Sequence, residues 1–187
     1  MKLCGQRAYL TPFLEEHLDH PNYMRWLHDV EVVKYIGREE YLMPIRHEVV
    51  REYVKGLWND STCAFFAVYR TDQNCFVGTA KVSFGGESGL RVRIADMGIM
   101  IGDKASWGQG LASDVISTMA AYAFDVLGAR KLSAGAVDGN TAVIRAFLKS
   151  GFVEEGRVRQ KVFVGGEYRD HLLLGCLPEE FRRLQCP

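Results

Sequence analysis

The sequence has no excess of charge of either sign, since its 187 residues include 23 Lys and Arg against 23 Asp and Glu. A balanced chain produces no overall field that would attract nucleic acid or an anionic surface. The densest basic groups, such as Arg157, Arg159 and Lys161, hold only two or three residues. We therefore expect no nucleic-acid partner, and any phosphate site has to be built locally.

Cysteine is scarce, and the five that occur fit neither a disulfide framework nor a metal site. Their number is odd, and they form no C-x-x-C pair and no cluster with histidine. The pattern favours a reducing, cytoplasmic setting without a metal, and it argues against a cysteine nucleophile, which needs a paired histidine. The residues are Cys4, Cys63, Cys75, Cys176 and Cys186.

Long apolar runs are also missing. The most apolar stretch, residues 97–101, has the length of a strand rather than of a bilayer span. The N-terminus reaches a charge before any apolar segment of signal-peptide length. We expect no membrane partner. Because no linker, repeat or change in composition divides the chain, residues 1–187 are predicted to form a single domain.

The spacing of apolar residues predicts helices first and then an interrupted sheet. Residues 13–60 show helical spacing, and segments rich in Val, Phe and Ile at 62–70, 75–84 and 91–101 are typical of an antiparallel meander. A long helix over 110–127, a strand over 131–137, a helix over 141–150 and a hairpin over 152–177 follow. This order predicts an α+β three-layer fold, with a mixed, mostly antiparallel sheet and helices on both faces.

The segment WGQGLAS at 107–113 joins a predicted buried strand to the start of the long helix. A helix N-terminus offers free N–H groups and a favourable dipole to a phosphate, and glycines let a pyrophosphate approach the main chain. The same pair of glycines also fits an ordinary loop. A dinucleotide fingerprint needs a third small residue and a ribose-binding acid at the end of the next strand, whereas Gly108-x-Gly110-x-x-Ser113 follows a predicted β-meander, so we do not expect NAD. A P-loop does not fit either, because residues 102–108 lack the terminal Gly-Lys-Ser/Thr.

A second segment, residues 137–152, begins at a turn and contains Asn140, Phe147 and a glycine before the next strand. Taken alone, Asn140 is a good helix N-cap and Phe147 a core residue.

Taken in order, strand 96–102, loop 107–112, Asn140 and the AFLKSGF segment at 146–152 resemble the GNAT superfamily of acyl-CoA-dependent N-acetyltransferases. The likeness covers nearly the whole chain. Within the superfamily, PNYMRWL at 21–27 and YRDHLLL at 168–174 resemble the subgroup of ribosomal-protein N-terminal acetyltransferases and bacterial amino-sugar acetyltransferases. The resemblance implies acetyl-CoA as co-substrate, an acceptor that carries an amine, and no metal.

The resemblance also implies which residues bind CoA. The loop and helix start would hold the pyrophosphate. The preceding strand would pair with the pantetheine arm and offer an N–H to the thioester carbonyl, with Ile101 near the thioester. The second helix would supply further contacts. The residues are Ile99, Met100, Ile101, Gly102, Trp107, Gly108, Gln109, Gly110, Leu111, Ala112, Ser113, Asn140, Phe147 and Lys149.

The implied reaction is the attack of a neutral amine on a thioester. An amine of pKa about 10 is mostly protonated at neutral pH, so a general base or a water relay is useful. Asp96 is the candidate base; a cross-strand pair with Arg91 or Arg93 is an equally good reading of it. Phe147 stands where many relatives carry a proton-donating Tyr, which leaves Tyr168 and His171 as alternative proton handlers.

The acceptor is expected to meet the N-terminal helices and the last hairpin, whose aromatic and Arg residues suit a sugar, a nucleotide or a peptide terminus. We favour a small amine such as an amino sugar; the alternatives are a protein N-terminus and a non-catalytic acyl-CoA-binding module. A homodimer through the final strands is compatible with the resemblance. The acceptor-side residues are Tyr23, Arg25, Trp26, His28, Tyr35, Arg38, Arg157, Arg159 and Tyr168, with a core position as the simpler expectation for Trp26.

Overall fold

The computed structural model describes residues 1–36 and 44–184. Arg38 and Cys186 therefore lie outside the described residues. The strands are β1 (Leu3–Cys4), β2 (Ala8–Pro12), β3 (Cys63–Arg70), β4 (Cys75–Ser83), β5 (Ile94–Ile101), β6 (Lys131–Val137), β7 (Val153–Val164) and β8 (Glu167–Cys176). The helices are α1 (Glu15–Leu18), α2 (Pro21–Leu27), α3 (Val30–Val33), α4 (His47–Asn59), α5 (Gly86–Val92), α6 (Leu111–Asp125), α7 (Thr141–Lys149) and α8 (Pro178–Arg183).

The strands form one sheet in the order β1-β2-β3-β4-β5-β6-β8-β7. Every pair is antiparallel except β5 with β6. The predicted mixed, mostly antiparallel sheet is confirmed. The first two strands were missed, because β1 has two residues and β2 has five, which is too short for a clear alternation of apolar and polar residues.

Helices cover both faces of the sheet, as the three-layer prediction requires. The long helix α6 buries the predicted stripe of Leu111, Val115, Met119 and Ala123 in one core with α7 and the sheet. Helices α1 to α4 form a second core on β3 and β4, and Trp26 is only 3% exposed within it. None of the described helices is long and apolar enough to cross a membrane.

The prediction was wrong between β4 and β5. Residues 86–92 form helix α5, and the strand expected from residue 91 begins at Ile94. The helix starts after Gly85 and ends before Arg93, both of which have positive φ. Leu90 and Val92 are 48% and 50% exposed, so α5 has no buried apolar stripe that periodicity could detect.

The parallel pair β5 and β6 is short, and this creates a gap in the sheet. Its register holds only Ile94 with Lys131, Ala95 with Leu132, and Asp96 with Ser133. Beyond Asp96, β5 continues beside β4 as far as Ile101. The two parallel strands therefore separate after Asp96.

Candidate active site

A cleft of about 1220 Å³ lies where β5 and β6 separate. The strand ends, the loop before α6 and the start of α7 line it, and α2 and α3 border the other end. Of the predicted site residues, all line this cleft except Gly102, Gln109 and Tyr168.

The backbone of β5 supplies polar groups to the gap. Gly102 donates its N–H to the carbonyl of Val77 on the β4 side at 2.9 Å. Because backbone groups alternate along an antiparallel strand, the N–H groups of Ile99 and Ile101 point the other way, into the gap, and that of Ile99 is the nearer of the two to Asp96 along the strand. The carbonyl of Ile101 faces that side too, since it accepts a hydrogen bond from Trp107 Nε1 at 2.7 Å.

Gly102 and Gln109 lie outside the cleft for clear physical reasons. A Cβ on Gly102 would come within 2.2 Å of the Trp26 ring, so this glycine serves packing. The side chain of Gln109 turns back to its own loop and donates to the carbonyl of Ala105 at 2.5 Å.

The loop before α6 has the geometry of an anion site. Gly108 and Gly110 take φ values of 73° and 77°, which glycine adopts without a steric penalty. Asp114 donates the first helical N–H, to Gly110, at 3.2 Å. The three preceding N–H groups, those of Leu111, Ala112 and Ser113, therefore point out of the helix end, where they and the dipole favour a phosphate.

Arg7 lies beside the loop before α6 and was not predicted. The Asp114 carboxylate accepts the backbone N–H of Arg7 at 2.8 Å. The Arg7 Nε lies 3.7 Å from where a Cβ on Gly110 would stand. No local signal in the sequence could have identified Arg7, because the contact joins residues that are more than 100 positions apart.

Helix α7 contributes one wall of the cleft. Asn140 is its N-cap, and its Oδ1 accepts the N–H of Val143 at 3.4 Å, which agrees with the capping interpretation. Phe147 is 2% exposed and packs edge-on against Phe152 with ring centroids 4.8 Å apart. Arg145 and Lys149 also line the cleft, which places two cations on this wall.

Asp96 stands at the point where β5 and β6 separate. Ser133 Oγ lies 3.5 Å from its Oδ1. The side chain opens to the cleft, but the surrounding protein removes enough water to raise the pKa of the Asp96 carboxyl, while Lys81 and the Ser133 hydroxyl act in the opposite direction. A carboxyl whose pKa is raised is a stronger base than an ordinary Asp side chain.

The alternative interpretation of Asp96, a pair with Arg91 or Arg93, was wrong. Arg91 lies on α5, where it faces Glu87 at 4.0 Å. Arg93 turns the other way and donates to the carbonyl of Gly128 at 2.6 Å. The helix that replaced the expected start of β5 carries both cations away from Asp96.

The two alternative proton handlers differ in position. His171 lines the cleft on β8, its ring fills the space that a Cβ on Gly135 would need, and its Nδ1 is buried without a hydrogen bond among the described residues. Burial lowers the pKa of His171, with Lys161 adding to the effect. Tyr168 is 68% exposed near the tip of the β7–β8 hairpin and contacts Phe163.

The residues expected to recognise the acceptor are only partly brought together. Tyr23 and Tyr35 line the cleft. Trp26 belongs to the core. Arg157 is engaged with three carboxylates, at 3.2 Å from Glu154, 3.6 Å from Asp138 and 3.7 Å from Asp170.

The chain was compared with known proteins. Residues 7–153 match the model of the acetyltransferase (GNAT) domain family, and the chain belongs to this family. The probable N-acetyltransferase YjcK of Bacillus subtilis (strain 168) is 26% identical over 137 residues, which are 73% of this chain and 74% of that protein. An N-acetyltransferase 9-like protein of Nematostella vectensis is 22% identical over 168 residues, which are 86% of this chain and 82% of its own.

Solved structures share the fold. The spermidine N-acetyltransferase of Vibrio cholerae, in complex with CoA and spermine, superposes with a TM-score of 0.80 at 20% identity, over 94% of this chain and 98% of that one. The Mycobacterium smegmatis protein RimJ, in complex with CoA-disulfide, gives a TM-score of 0.75 at 20% identity, over 92% and 83% of the two chains.

These findings define the class of the protein. It is an N-acetyltransferase of the GNAT family that uses acetyl-CoA and acts on an amine-bearing acceptor. Among residues 1–36 and 44–184, no group of three or more His, Cys, Asp or Glu side chains is placed to hold a metal ion.

Proposed function

We propose that the protein transfers the acetyl group of acetyl-CoA directly to a primary amine of a small molecule, such as an amino sugar, while both substrates are bound. The observation that carries this proposal is the position of Asp96. Its carboxylate lies in the same gap as the Ile99 N–H, in a cleft that continues to the anion site before α6. Donor and acceptor can therefore meet in one place.

The CoA end of the cleft follows from its backbone. The N–H groups of residues 111–113 and the glycine loop bind the pyrophosphate, and Arg7 adds a guanidinium at the same end. Asn140 lies where the pantetheine arm passes, and Lys149 lies toward the adenosine end, both as the family resemblance implies.

At the reacting end, Asp96 accepts the proton of the acceptor amine, directly or through a water, because burial has made its carboxylate a stronger base. The N–H of Ile99 donates to the thioester carbonyl oxygen and stabilises the negative charge that grows there during attack. Phe147 cannot donate a proton to the departing sulfur. A thiol of pKa about 8.5 can leave as the thiolate, so no such donor is required.

His171 is the second candidate to handle a proton. Its place in the cleft and its neutral imidazole near pH 7 suit a proton acceptor. The exposure of Tyr168 at the hairpin argues against a catalytic role for that residue.

A protein N-terminus is the second candidate acceptor. The human alpha/beta-tubulin-N-acetyltransferase 9 is 25% identical over 162 residues, which are 80% of this chain and 74% of that protein. A polyamine is a third, because a spermidine N-acetyltransferase shares the fold. The expected alternative of a non-catalytic module that binds acyl-CoA is not supported, because the matched family and the named relatives are N-acetyltransferases.

The sheet ends in a strand that suits a homodimer. Strand β7 has 12 residues, lies at the edge of the sheet and is exposed along most of its length. An unpaired edge is a template for pairing with a second chain. Light scattering coupled to size exclusion gives the mass of the particle, and a monomer at micromolar concentration would contradict this part of the proposal.

The function is tested by mass-spectrometric detection of acetylated product from acetyl-CoA and a panel of amino sugars, amino acids, polyamines and N-terminal peptides. We expect a small amine to be acetylated, with the rate strongly reduced in Asp96→Asn and less affected in His171→Gln. The exposed carboxylate Asp125 at the end of α6 provides the matched control, Asp125→Asn. If acetyl-CoA raised the melting temperature but no small amine of the panel were acetylated, the proposed class of acceptor would be wrong.

A further inference from the structure

A bare patch of sheet lies beside Asp96 on the floor of the cleft. In the β4–β5 register, Lys81 stands opposite Gly98, and Ser83 stands opposite Asp96. Residues paired in this way share a face of the sheet. A Cβ on Gly98 would meet nothing within 4 Å, so the space above this glycine is open and is bordered by a cation on one side and a carboxylate on the other.

Lys81 is the cation with no ion pair at this end of the cleft. Within the described part of the chain, no carboxylate lies within the 4.0 Å of a salt bridge to its ammonium, although its charge acts on Asp60 and Asp96. The other lysines near this end are paired. Lys34 lies 2.9 Å from Glu31, and Lys131 lies 2.5 Å from Glu155.

An ammonium without an ion pair that borders an open space is a site for an anion. Lys81 lines the cleft between Phe65, its partner on β3, and the open space above Gly98. An anionic group that reaches the ammonium from this open space gains a charge-assisted hydrogen bond. A cationic group at the same place would meet a like charge.

We infer that Lys81 binds an anionic group of the acceptor, a carboxylate or a phosphate, in the open space above Gly98. The acceptor would then be a molecule in which the reacting amine and an acidic group lie within about 7–8 Å of each other, the spacing of diagonal neighbours on adjacent strands. Asp96 receives the amine and Lys81 receives the anion. This inference rests on the proposed function, and it selects acidic amines over neutral and polycationic ones.

The test compares acceptors that differ only in the acidic group. The pairs are alanine with alaninamide and glucosamine 6-phosphate with glucosamine, which distinguish a carboxylate from a phosphate, and spermidine represents a polycation. For at least one pair we expect kcat/KM to be about tenfold or more higher for the acidic member. Equal or higher values for the neutral members or for spermidine would overturn the inference.

The variant Lys81→Met removes the charge and keeps the length of the side chain. Loss of the charge also raises the pKa of Asp96, so both members are compared on the plateau of the variant's own pH profile. We expect the ratio of kcat/KM between the acidic and the neutral member to fall to about one. If Lys81 served only to keep Asp96 ionised, both members would lose activity equally and the wild-type ratio would persist, and the inference would be wrong. The control is Lys55→Met, since Lys55 is exposed on α4 outside the cleft.

A binding measurement separates this inference from the proposed function. Calorimetric titration of the CoA-saturated protein uses alanine and glucosamine 6-phosphate as probes and needs no turnover. Binding of an acidic probe that is lost in Lys81→Met and in Gly98→Val, with folding checked by thermal unfolding, supports the anion site even if no acetyl transfer is found. If neither acidic probe binds more tightly than its neutral partner and no preference is found in turnover, the anion site does not exist.

Discussion

Asp114 and Arg7 tie the N-terminal strands to the anion site. The Asp114 carboxylate, in the first turn of α6, accepts the backbone N–H of Arg7 at 2.8 Å, and those of Gln6 and Ala8 at 3.0 and 2.9 Å. The side chain of Arg7 then reaches the region of Gly110. A carboxylate at this place also complements the dipole of α6. One acidic residue thus stabilises the helix start and positions a cation beside it.

Substitutions at these two residues should separate binding from stability. Arg7→Ala removes the guanidinium but leaves the backbone bonds intact, so we expect acetyl-CoA affinity to fall roughly fivefold to tenfold at unchanged stability. Asp114→Ala leaves three N–H groups without their acceptor and should lower the free energy of unfolding by about 1–2 kcal/mol as well. Calorimetric titration and urea unfolding measure the two effects. Wild-type affinity of the Arg7→Ala variant for acetyl-CoA would show that Arg7 takes no part in binding it.

Asp96→Asn should cost activity and raise stability. Loss of a general base lowers kcat/KM by about 10² to 10⁴. The raised pKa of Asp96 in the folded protein means that its ionised form is disfavoured there, so folding stability decreases as pH rises through the interval between the unfolded and the folded pKa. Above that interval the Asn variant should melt at a higher temperature than the wild type, and below it the difference should vanish. Thermal unfolding across pH and steady-state kinetics check both parts. Unchanged turnover would exclude Asp96 as the base.

Ser133→Ala tests whether the pKa of Asp96 sets the pH dependence of activity. The Ser133 hydroxyl lowers the pKa of Asp96 by hydrogen bonding to it. Its removal should raise that pKa, so the acidic limb of the kcat/KM profile should move to higher pH while the plateau stays within about threefold. The exposed Ser88 on α5 supplies a control, Ser88→Ala. A limb at the wild-type position would show that Asp96 does not control the profile.

The anion site could be predicted from the sequence because its chemistry is local. Gly108, Gly110 and the start of α6 are consecutive in the chain, and a helix end and a glycine loop can be recognised there without knowledge of the sheet. The position of Asp96 beside Ser133 could not be predicted, since it depends on the pairing of β5 with β6 and the two residues are 37 positions apart in the chain. The place of Arg7 beside Gly110 could not be predicted either, because Arg7 and its partner Asp114 are 107 positions apart. Contacts made by pairing of distant strands leave no pattern within a window of sequence.

Gly110→Ala should weaken acetyl-CoA binding through the backbone. An alanine at φ 77° is disfavoured by about 1–2 kcal/mol, and relief of that strain turns the N–H groups of α6 away from the site. We expect affinity to fall about tenfold in calorimetric titration. The matched control is Gly56→Ala in α4, where a Cβ would meet nothing within 4 Å; it should stabilise the fold by up to about 1 kcal/mol and leave CoA binding unchanged. Equal affinity of both variants would show that Gly110 needs no positive φ.

The open space above Gly98 has a consequence for how this scaffold can diverge. Gly98 has no positive φ and no neighbour that a Cβ would strike, so a larger residue can replace it while the sheet keeps its form. Gly110 has no such freedom, because its backbone conformation excludes most side chains. Mutation can therefore change the acceptor while the thioester donor is retained. A single nucleotide change in the codon for Gly98 is therefore enough to alter which acceptor the cleft admits.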